Sequence, residues 1–441
     1  MNLSRNKSNI KIVLYSLLSS VQMSFVGTLI MSEVYAGLNS LNFGRIRQLY
    51  RNNPDIKKVQ KAMFIFLVIQ VLSDVINNNS MNNMLRGWAA IGVSLVVFTF
   101  MFRMFDDTPR IILAFMCAEV VRLILFGSAN LEQETSSMME DYSLFKFRVA
   151  PIVNNVILLI SFYTYNKRKD MLTVAIIMVY GLANIALDFR SNGMFFLFTG
   201  LIIHFRKVLM NMTLARKIGL TIFVGIFFQI LYMFYVNAVL SGEFGGKHAG
   251  DQLSEAGNPY NPISLIGQGR GEFFVAIEAV KDAPWLGHGS WAVDENNHYR
   301  SLMFKDLDKD KSRLLALNNS GVIPSHSILL GAWVYGGIIA AACMFYIFFL
   351  TMKRGFSLMM DETPYYPILV FFTIELLWIF PFSPLPHIRS TLPLTIAFIL
   401  TIYHSLKNDE YDEEEDLLPD NGGYHDDSYY EARPGNGQSA R

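Results

Sequence analysis

Charged residues are scarce in this chain. They make up 17% of its 441 residues, whereas about a quarter is usual for a soluble globular protein. The 37 basic side chains balance 37 acidic ones, so there is no overall basic field and no nucleic-acid partner is expected. Cysteine is scarcer still, and Cys117 and Cys343 both lie in apolar runs. These thiols are expected to pack as small hydrophobic groups, without a disulfide framework.

Apolar residues, in contrast, are abundant and concentrated in long runs. They make up 52% of the chain, and the mean hydropathy is +0.30. Many runs have roughly 15–25 residues, the length with which a helix crosses a ~30 Å hydrocarbon core. The sequence therefore predicts an all-α, polytopic integral membrane protein. Its first apolar stretch lacks a clear cleavage site and is expected to remain as a signal-anchor.

About twelve transmembrane helices are expected, with both termini in the cytoplasm. The first apolar stretch, Ile10 to Phe43, is too long for one span, and we interpret it as two helices with a tight turn near Ser24–Gly27. This turn returns the chain to the cytoplasm before the basic cluster between Arg45 and Lys61, as the positive-inside rule requires. The other spans are expected at about 62–77, 85–105, 110–127, 149–165, 171–188, 192–205, 218–240, 325–351, 364–385 and 388–406.

Four regions follow from this assignment. Residues 1–240 hold transmembrane helices 1–9, residues 241–324 form one large periplasmic loop, and residues 325–406 hold helices 10–12. Residues 407–441 are acidic, polar and Gly-rich, which predicts a disordered cytoplasmic tail. Within the large loop, Glu272 to Asp282 has the spacing of an amphipathic helix that lies on the membrane or caps the bundle. Pro284 to Gly289 then predicts a turn.

His326 is the candidate general base. Pro324 and Ser325 predict the start of a helix, with Ser325 as N-cap and His326 in the first turn. The positive end of a helix favours the neutral imidazole, which has the free ring nitrogen that a base requires. The alternative is an interfacial histidine at the end of a membrane helix, with no chemical role.

Arg190 and Arg270 are candidate anion-binding residues on the same predicted membrane face. Arg190 lies in a short outer turn, and Arg270 lies between glycines just ahead of the amphipathic helix. A guanidinium offers a planar fork of donors that suits phosphate. Two such groups and a neutral base are what a pyrophosphate leaving group and a hydroxyl nucleophile need. The alternatives are snorkelling or pairing with Asp188 for Arg190, and a flexible exposed loop for Arg270.

His387 and Arg389 lie at the outer start of the last predicted span. They are candidates for binding the acceptor substrate, and the alternative is an interfacial anchor. The acidic run at Asp306, Asp308 and Asp310 alternates with lysines, so a solvated face is expected there and no metal site.

Ionisable residues inside the predicted spans point to a different class of protein. Asp74, Glu119, Arg122 and Glu375 are the features that a proton-coupled transporter would show. Glu119 and Arg122 lie three residues apart on one helical face, so a structural ion pair is expected for these two.

Several short motifs resemble those of the bacterial O-antigen ligase and O-antigen polymerase superfamily. His326-Ser327, followed after nine residues by Gly337, resembles its His-(Asn/Ser/Gln)-x9-Gly signature. The stretches 270–274 and 284–289 resemble its Arg-x-x-(Phe/Trp) helix and the turn with two glycines that follows it. Phe189-Arg190-Ser191 resembles its turn between two spans. The resemblance covers most of residues 10–406 and includes the late, large outer loop.

This resemblance implies a metal-independent, inverting glycosyl transfer on the periplasmic face of the bacterial inner membrane. It implies a glycan donor on undecaprenyl pyrophosphate and a hydroxyl of an acceptor glycan. Arg190 and Arg270 would hold the pyrophosphate, and His326 would deprotonate the acceptor hydroxyl. No cofactor is implied. Membrane lipids and a chain-length regulator are the other expected partners.

Ser327 stands where many ligases of this superfamily have asparagine, which favours a polymerase of O-antigen or exopolysaccharide repeat units. One alternative is an O-antigen ligase that transfers to lipid A core. The alternative from another class is a transporter or flippase of the same lipid-linked sugars. A transporter needs polar residues through the bilayer midplane, whereas the candidate residues here gather at the outer surface.

Overall fold

The computed structural model describes residues 3–24, 27–40, 53–127, 144–187, 189–242, 250, 253–254, 258–261, 271–294, 297–302, 321–389 and 391–417. About 81% of the structure is helical. The described α-helices are α1 Leu3–Leu18, α2 Met31–Ser40, α3 Pro54–Ile76, α4 Met81–Asp107, α5 Ile111–Phe126, α6 Ala150–Asn166, α7 Asp170–Ala186, α8 Arg190–Asn211, α9 Leu214–Leu240, α10 Gly271–Asp282, α11 His298–Leu302, α12 Ile328–Leu358, α13 Tyr366–Phe382 and α14 Thr391–Leu417. A π-helical turn, Phe145–Val149, leads into α6, and a 3₁₀ turn, Leu385–Arg389, precedes α14.

The predicted all-α class is confirmed, and several of the helices are apolar enough to be embedded in a membrane. The number of spans and the periplasmic position of the large loop stay predictions. Each predicted span falls on a helix. Among the described residues, four helical stretches are both long and apolar enough to cross a membrane, namely Pro54–Ile76, Met81–Asp106, Phe145–Asn166 and Ile328–Leu358. Four shorter apolar stretches are Asp170–Ala186, Gly225–Leu240, Tyr366–Phe382 and Thr391–Lys407.

The first apolar stretch reverses direction where the sequence predicts it. Strands β1 (Gln22–Ser24) and β2 (Thr28–Ile30) form an antiparallel hairpin in which Ser24 pairs with Thr28. The chain then enters α2, whose ten residues correspond to about 15 Å of helix. The two-helix interpretation is thus confirmed for the reversal, while α2 is shorter than a full span.

Contacts between the connecting segments fall into two sets, one at each end of the helices. We name one of these the outer end, where the hairpin, the loop after α3, the loop after α10 and the turn after α13 meet. The contacts that define it are Arg389 with Glu33 and Thr28, Asn79 with His288, Asn83 with Trp291, and Phe382 with Phe273. These are all segments that the sequence predicts to lie outside.

The opposite, inner end is held by polar pairs between segments that are predicted to lie inside. The side chain of Arg354, near the end of α12, donates to Asp55 (2.6 Å) and to the Tyr403 hydroxyl (2.8 Å). Asn166 donates to the carbonyl of Pro364 at 2.9 Å. The segments named here thus lie at the ends of the helices at which the predicted order of turns places them, and the number of spans stays a prediction.

Two of the ionisable groups inside the helices have structural partners. Arg122 pairs with Glu119 at 2.8 Å, and Ser16 donates to the other oxygen of the same carboxylate at 2.7 Å. The predicted ion pair is confirmed, and it joins α5 to α1. Glu375 in α13, in contrast, makes no hydrogen bond or ion pair with any residue that the structure describes.

By its contacts the chain divides into two units, Met1–Tyr403 and His404–Arg441. The predicted start of the tail at residue 407 does not coincide with the end of a helix, because α14 continues to Leu417. The helix thus includes part of the acidic run that the sequence predicts to be disordered. Residues 418–441 lie outside the described part of the chain.

Candidate active site

The amphipathic helix predicted in the large loop is present as α10 (Gly271–Asp282). Its apolar residues Val275, Ala276 and Ala279 are buried, and α10 packs along α12. Glu272, at the start of α10, contacts His326, which lies just before α12. The segment that follows the end of α10 contacts α12 near Gly337. The two helices therefore run side by side in the same direction, so α10 supports the outer part of α12.

Helix α12 is broken at Gly337, whose φ of 68° and ψ of −164° are not helical. The broken backbone pair is Ile338 N–H with Val334 C=O. The loop after α10 satisfies both groups, because Ile338 donates to the carbonyl of Pro284 (3.0 Å) and His288 N–H donates to Val334 (2.7 Å). A Cβ at residue 337 would overlap the carbonyl of Trp285. The 284–289 turn and Gly337 are separate motifs in the sequence, but in the structure the turn packs against the break in α12 and completes its hydrogen bonds.

Asp74 fixes the next part of this loop. The carboxylate is fully buried in α3 and accepts four hydrogen bonds. The donors are the Ser290 backbone (2.5 Å) and hydroxyl (2.7 Å), the Asn79 amide (2.9 Å) and the Trp88 indole (2.6 Å). A buried carboxylate with this many donors is satisfied where it stands. Asp74 therefore has a structural role, so its presence inside a predicted span does not by itself favour a transporter.

Asp294 and Asp282 hold α11 to the preceding part of the chain. Asp294 accepts the backbone N–H groups of Tyr299 (3.0 Å) and Arg300 (2.8 Å), and the Tyr299 hydroxyl donates to Asp282 at 2.7 Å. Burial raises the pKa of Tyr299, and the hydrogen bond to the Asp282 carboxylate raises it further. The phenol therefore stays protonated and holds the end of α10 to α11.

The predicted N-cap of α12 is wrong by two residues. Ser327 caps the helix: its hydroxyl accepts the N–H of Leu330 at 3.1 Å, and α12 begins at Ile328. His326 therefore precedes the helix and does not lie in its first turn. Both Ser325 and Ser327 are good caps, so the sequence around the histidine does not choose between them.

Glu272 is the partner of His326. Its Oε2 lies 2.6 Å from Nδ1 of the histidine, and each side chain is about one-third exposed (36% and 34%). The Nε2 atom of His326 has no hydrogen-bond partner among the described residues. The ring is thus held at Nδ1, and its side chain is partly exposed. The sequence shows a carboxylate in the first turn of a predicted amphipathic helix. It does not show that this carboxylate pairs with the histidine.

Arg190 is the first residue of α8 and interacts electrostatically with Tyr232 of α9. An aromatic row connects its neighbourhood to that of Glu272. The row consists of Phe195, Trp378, Phe382 and Phe273, with successive ring centroids 6.3, 4.6 and 5.6 Å apart. Phe195 lies just over one turn along α8 from Arg190, and Phe273 is next to Glu272 in sequence. The row therefore extends from α8, the helix that Arg190 begins, to α10, the helix that carries Glu272.

The remaining predicted site residues are placed differently. Arg389 is paired with Glu33 through two hydrogen bonds, Nε to Oε1 (2.9 Å) and Nη2 to Oε2 (2.6 Å), and Nη2 also donates to the carbonyl of Thr28. Its guanidinium therefore joins the start of α14 to the hairpin and α2. Arg270 lies outside the described residues, as does the side chain of His387. Their roles stay predictions.

Within the described ranges, no group of three or more His, Cys, Asp or Glu side chains lies close enough to hold a metal ion. The acidic run at residues 306–310 is outside those ranges. The comparisons with known proteins give no relative: no protein-family model matches the chain, and no curated protein matches its sequence.

Proposed function

We propose that the protein is a multi-pass glycosyltransferase of the bacterial inner membrane that acts at its periplasmic face. It transfers a glycan from undecaprenyl pyrophosphate to a hydroxyl of an acceptor glycan, and most simply it polymerises the repeat units of O-antigen or exopolysaccharide. In this proposal the chain crosses the membrane about twelve times, and the outer end faces the periplasm.

The observation that supports this proposal best is the position of His326 at the outer end, where Glu272 holds Nδ1 and no described residue hydrogen-bonds to Nε2. A base needs a ring nitrogen that a substrate hydroxyl can reach within about 2.6–3.2 Å. Nε2 is the ring nitrogen that is left for this role. Arg190 begins α8, the helix that contributes Phe195 to the aromatic row, and the proposal assigns this cation to the same substrate as the base.

The proposed step is a direct displacement at the anomeric carbon of the donor. Nε2 of His326 takes the proton of the acceptor hydroxyl as its oxygen attacks that carbon. The bond between the carbon and the phosphate oxygen breaks, and undecaprenyl pyrophosphate leaves with the electron pair. Arg190, with Arg270, would stabilise the charge that grows on the departing diphosphate.

The aromatic row gives the proposed substrate a surface of suitable chemistry. Phe273, Trp378 and Phe382 are partly exposed, and aromatic faces offer large contact area at low cost in side-chain entropy. Sugar rings and isoprenoid chains both present apolar C–H groups to such a surface. The row extends from α8, which Arg190 begins, to Phe273 beside Glu272, and in this proposal the lipid-linked sugar lies along it.

A transporter or flippase of lipid-linked sugars is the second candidate, and Glu375 is the observation that favours it. An ionisable side chain within an apolar helix, with no partner among the described residues, is a functional suspect by default. Glu375→Gln separates the two candidates. It should abolish a proton-coupled transporter and leave the turnover of a transferase in detergent unchanged.

The test of the proposed function is a reaction with purified protein in detergent, where two separate compartments no longer exist. A lipid-linked repeat unit alone should be converted to longer chains if the protein is a polymerase. Product that forms only after lipid A core is added would identify a ligase. Activity should persist in EDTA, and a strict requirement for added Mg²⁺ or Mn²⁺ would contradict the proposed mechanism. No glycan product from folded protein, with donors of its own pathway, would overturn the enzyme assignment.

A further inference from the structure

We infer that Glu272 is the positioning residue of the proposed base, and that it fixes the tautomer of His326. This inference deepens the proposed function, because it assigns a role to a side chain that the transfer mechanism above does not use. The observation that supports it is the contact between Oε2 of Glu272 and Nδ1 of His326 at 2.6 Å.

The chemistry of the two groups decides where the ring proton lies. An ionised carboxylate can only accept hydrogen bonds, so at this distance Nδ1 carries the hydrogen. In the neutral ring the lone pair is then on Nε2, the nitrogen that faces away from Glu272. Without the carboxylate, the imidazole is free to place its proton on Nε2, and the base then lacks the lone pair on the side that the substrate reaches.

The fold gives Glu272 a fixed position relative to the ring. The carboxylate is in the first turn of α10, and the buried face of α10 packs along α12. The end of α10 is held to α12 by the backbone bonds from Pro284 and His288 across the break at Gly337. Because Ser327 caps α12, the histidine precedes the helix by only one residue. The two residues of the pair thus belong to segments that are also joined where the chain leaves α10 and where α12 is broken.

The carboxylate also has an electrostatic role in the transfer step. When Nε2 takes the proton of the acceptor hydroxyl, the ring becomes a cation, and the adjacent negative charge stabilises it. In the Ser-His-Asp triad of serine hydrolases, a buried aspartate likewise orients the histidine ring and stabilises its charged form. Orientation and charge are separable here, because glutamine keeps an acceptor oxygen but has no charge.

Three variants distinguish these contributions. Glu272→Leu removes the acceptor and keeps most of the side-chain volume, Glu272→Gln keeps the acceptor, and Glu278→Leu is the matched control. Glu278 lies on the same helix and makes an exposed pair with Lys281. Turnover of the leucine variant should fall by an amount within the ~10²–10⁴-fold range of general-base catalysis. The glutamine variant should fall less, and the control should match wild type.

A structural role alone would lower activity too, so the deciding measurement is the tautomer itself. The chain has eight histidines, and comparison with His326→Gln assigns the resonances of this ring in ¹⁵N-histidine-labelled protein. At a pH where the ring is neutral, wild type and Glu272→Gln should show a protonated Nδ1. Glu272→Leu should show a protonated Nε2. An unchanged tautomer in Glu272→Leu would overturn the inference.

The double variant Glu272→Leu/His326→Ala adds a second criterion. If Glu272 acts only through the ring, the double variant should be no slower than His326→Ala alone, because residues that act as one unit are not additive. A further loss of turnover would overturn the inference. The tautomer is measured without substrate, so a protein that makes no glycan can still show it, and a failed transfer assay remains distinguishable from a failed positioning role.

Discussion

The carbonyl oxygen of Pro284 accepts a hydrogen bond from the backbone N–H of Ile338 at 3.0 Å. This bond replaces one that α12 loses at Gly337, and the His288 N–H satisfies the carbonyl left on the other side of the break. A loop from outside the helix thus completes the hydrogen bonding of the helix interior. The break is possible only because residue 337 has no Cβ.

Gly337→Ala should therefore destabilise the protein. The backbone of Gly337 (φ 68°, ψ −164°) lies in a region that is essentially restricted to glycine and costs other residues about 1–3 kcal/mol. The new methyl group would also overlap the Trp285 carbonyl. Gly92→Ala in α4 is the matched control, because a Cβ there meets no atom within 4 Å. The control should be neutral or gain roughly 0.5–1 kcal/mol. Thermal unfolding of both variants in detergent checks this, and equal unfolding temperatures would contradict the role of the break.

Asp74→Asn should destabilise the outer loop. The amide would present an N–H group to one of the donors that now bind the carboxylate, Trp88 or Ser290 among them, and an unsatisfied buried donor costs about 1–3 kcal/mol. Glu278→Gln is the control, because an exposed pair contributes about 1 kcal/mol or less. The measurement is again the unfolding temperature. Wild-type stability with lost function would instead show that Asp74 acts chemically.

Much of this fold could be predicted from the sequence, because long apolar runs have few alternatives to helix in a membrane. The reversal between β1 and β2 was predictable for a related reason: the apolar stretch is too long for one span, and basic residues follow it. The Glu119–Arg122 pair needs only the helical repeat. All of these features depend on residues that are close in sequence.

The features that escaped prediction join residues that are distant in sequence. Arg389 and Glu33 are 356 residues apart, so the sequence does not indicate that a carboxylate of α2 holds this guanidinium. The role of Arg389 in substrate binding stays a prediction. The partner of His326 lies on a different helix. The position of the N-cap was ambiguous because two serines flank the histidine, and only packing decides between them. Apolar periodicity also gives no sign that α12 is broken at Gly337.

The membrane orientation can be tested with reporter fusions. Fusions after Lys58, Lys169 and Lys217 should report the cytoplasm, and fusions near Gly250 should report the periplasm. The physical reason is the excess of Lys and Arg in the short loops that are expected inside. The fusion after Lys58 is the most informative, since a periplasmic result there would mean that α2 does not return the chain across the membrane.

His326→Ala should abolish transfer without loss of expression or membrane insertion. General-base catalysis contributes about 10²–10⁴ in rate, and the ring lies partly exposed at the outer end, so its removal should not disturb packing. His204→Ala is the control, because His204 is also exposed and lies on α8. Turnover of the purified variants decides. Near-normal transfer by His326→Ala would exclude this residue as the base.

Arg190→Lys should lower turnover more than donor affinity. If the guanidinium binds the pyrophosphate through two parallel hydrogen bonds, lysine is a poor substitute, because it is a point charge without the planar fork. The interaction should strengthen as charge accumulates on the departing diphosphate, so its loss should appear in kcat. Arg270→Lys should behave in the same way. Steady-state kinetics in detergent, with the lipid-linked donor varied, separate kcat from KM.

Arg389→Lys is the matched comparison, since the same substitution should act there through stability. Lysine cannot reproduce the two bonds to Glu33, a carboxylate that is almost fully buried, and a buried charge left poorly paired is costly. The unfolding temperature should therefore fall more for Arg389→Lys than for Arg190→Lys. Turnover should show the opposite order once the proteins are compared below both unfolding temperatures. If Arg190→Lys lowers stability and keeps kcat, Arg190 is a structural residue, and the pyrophosphate must be bound elsewhere at the outer end.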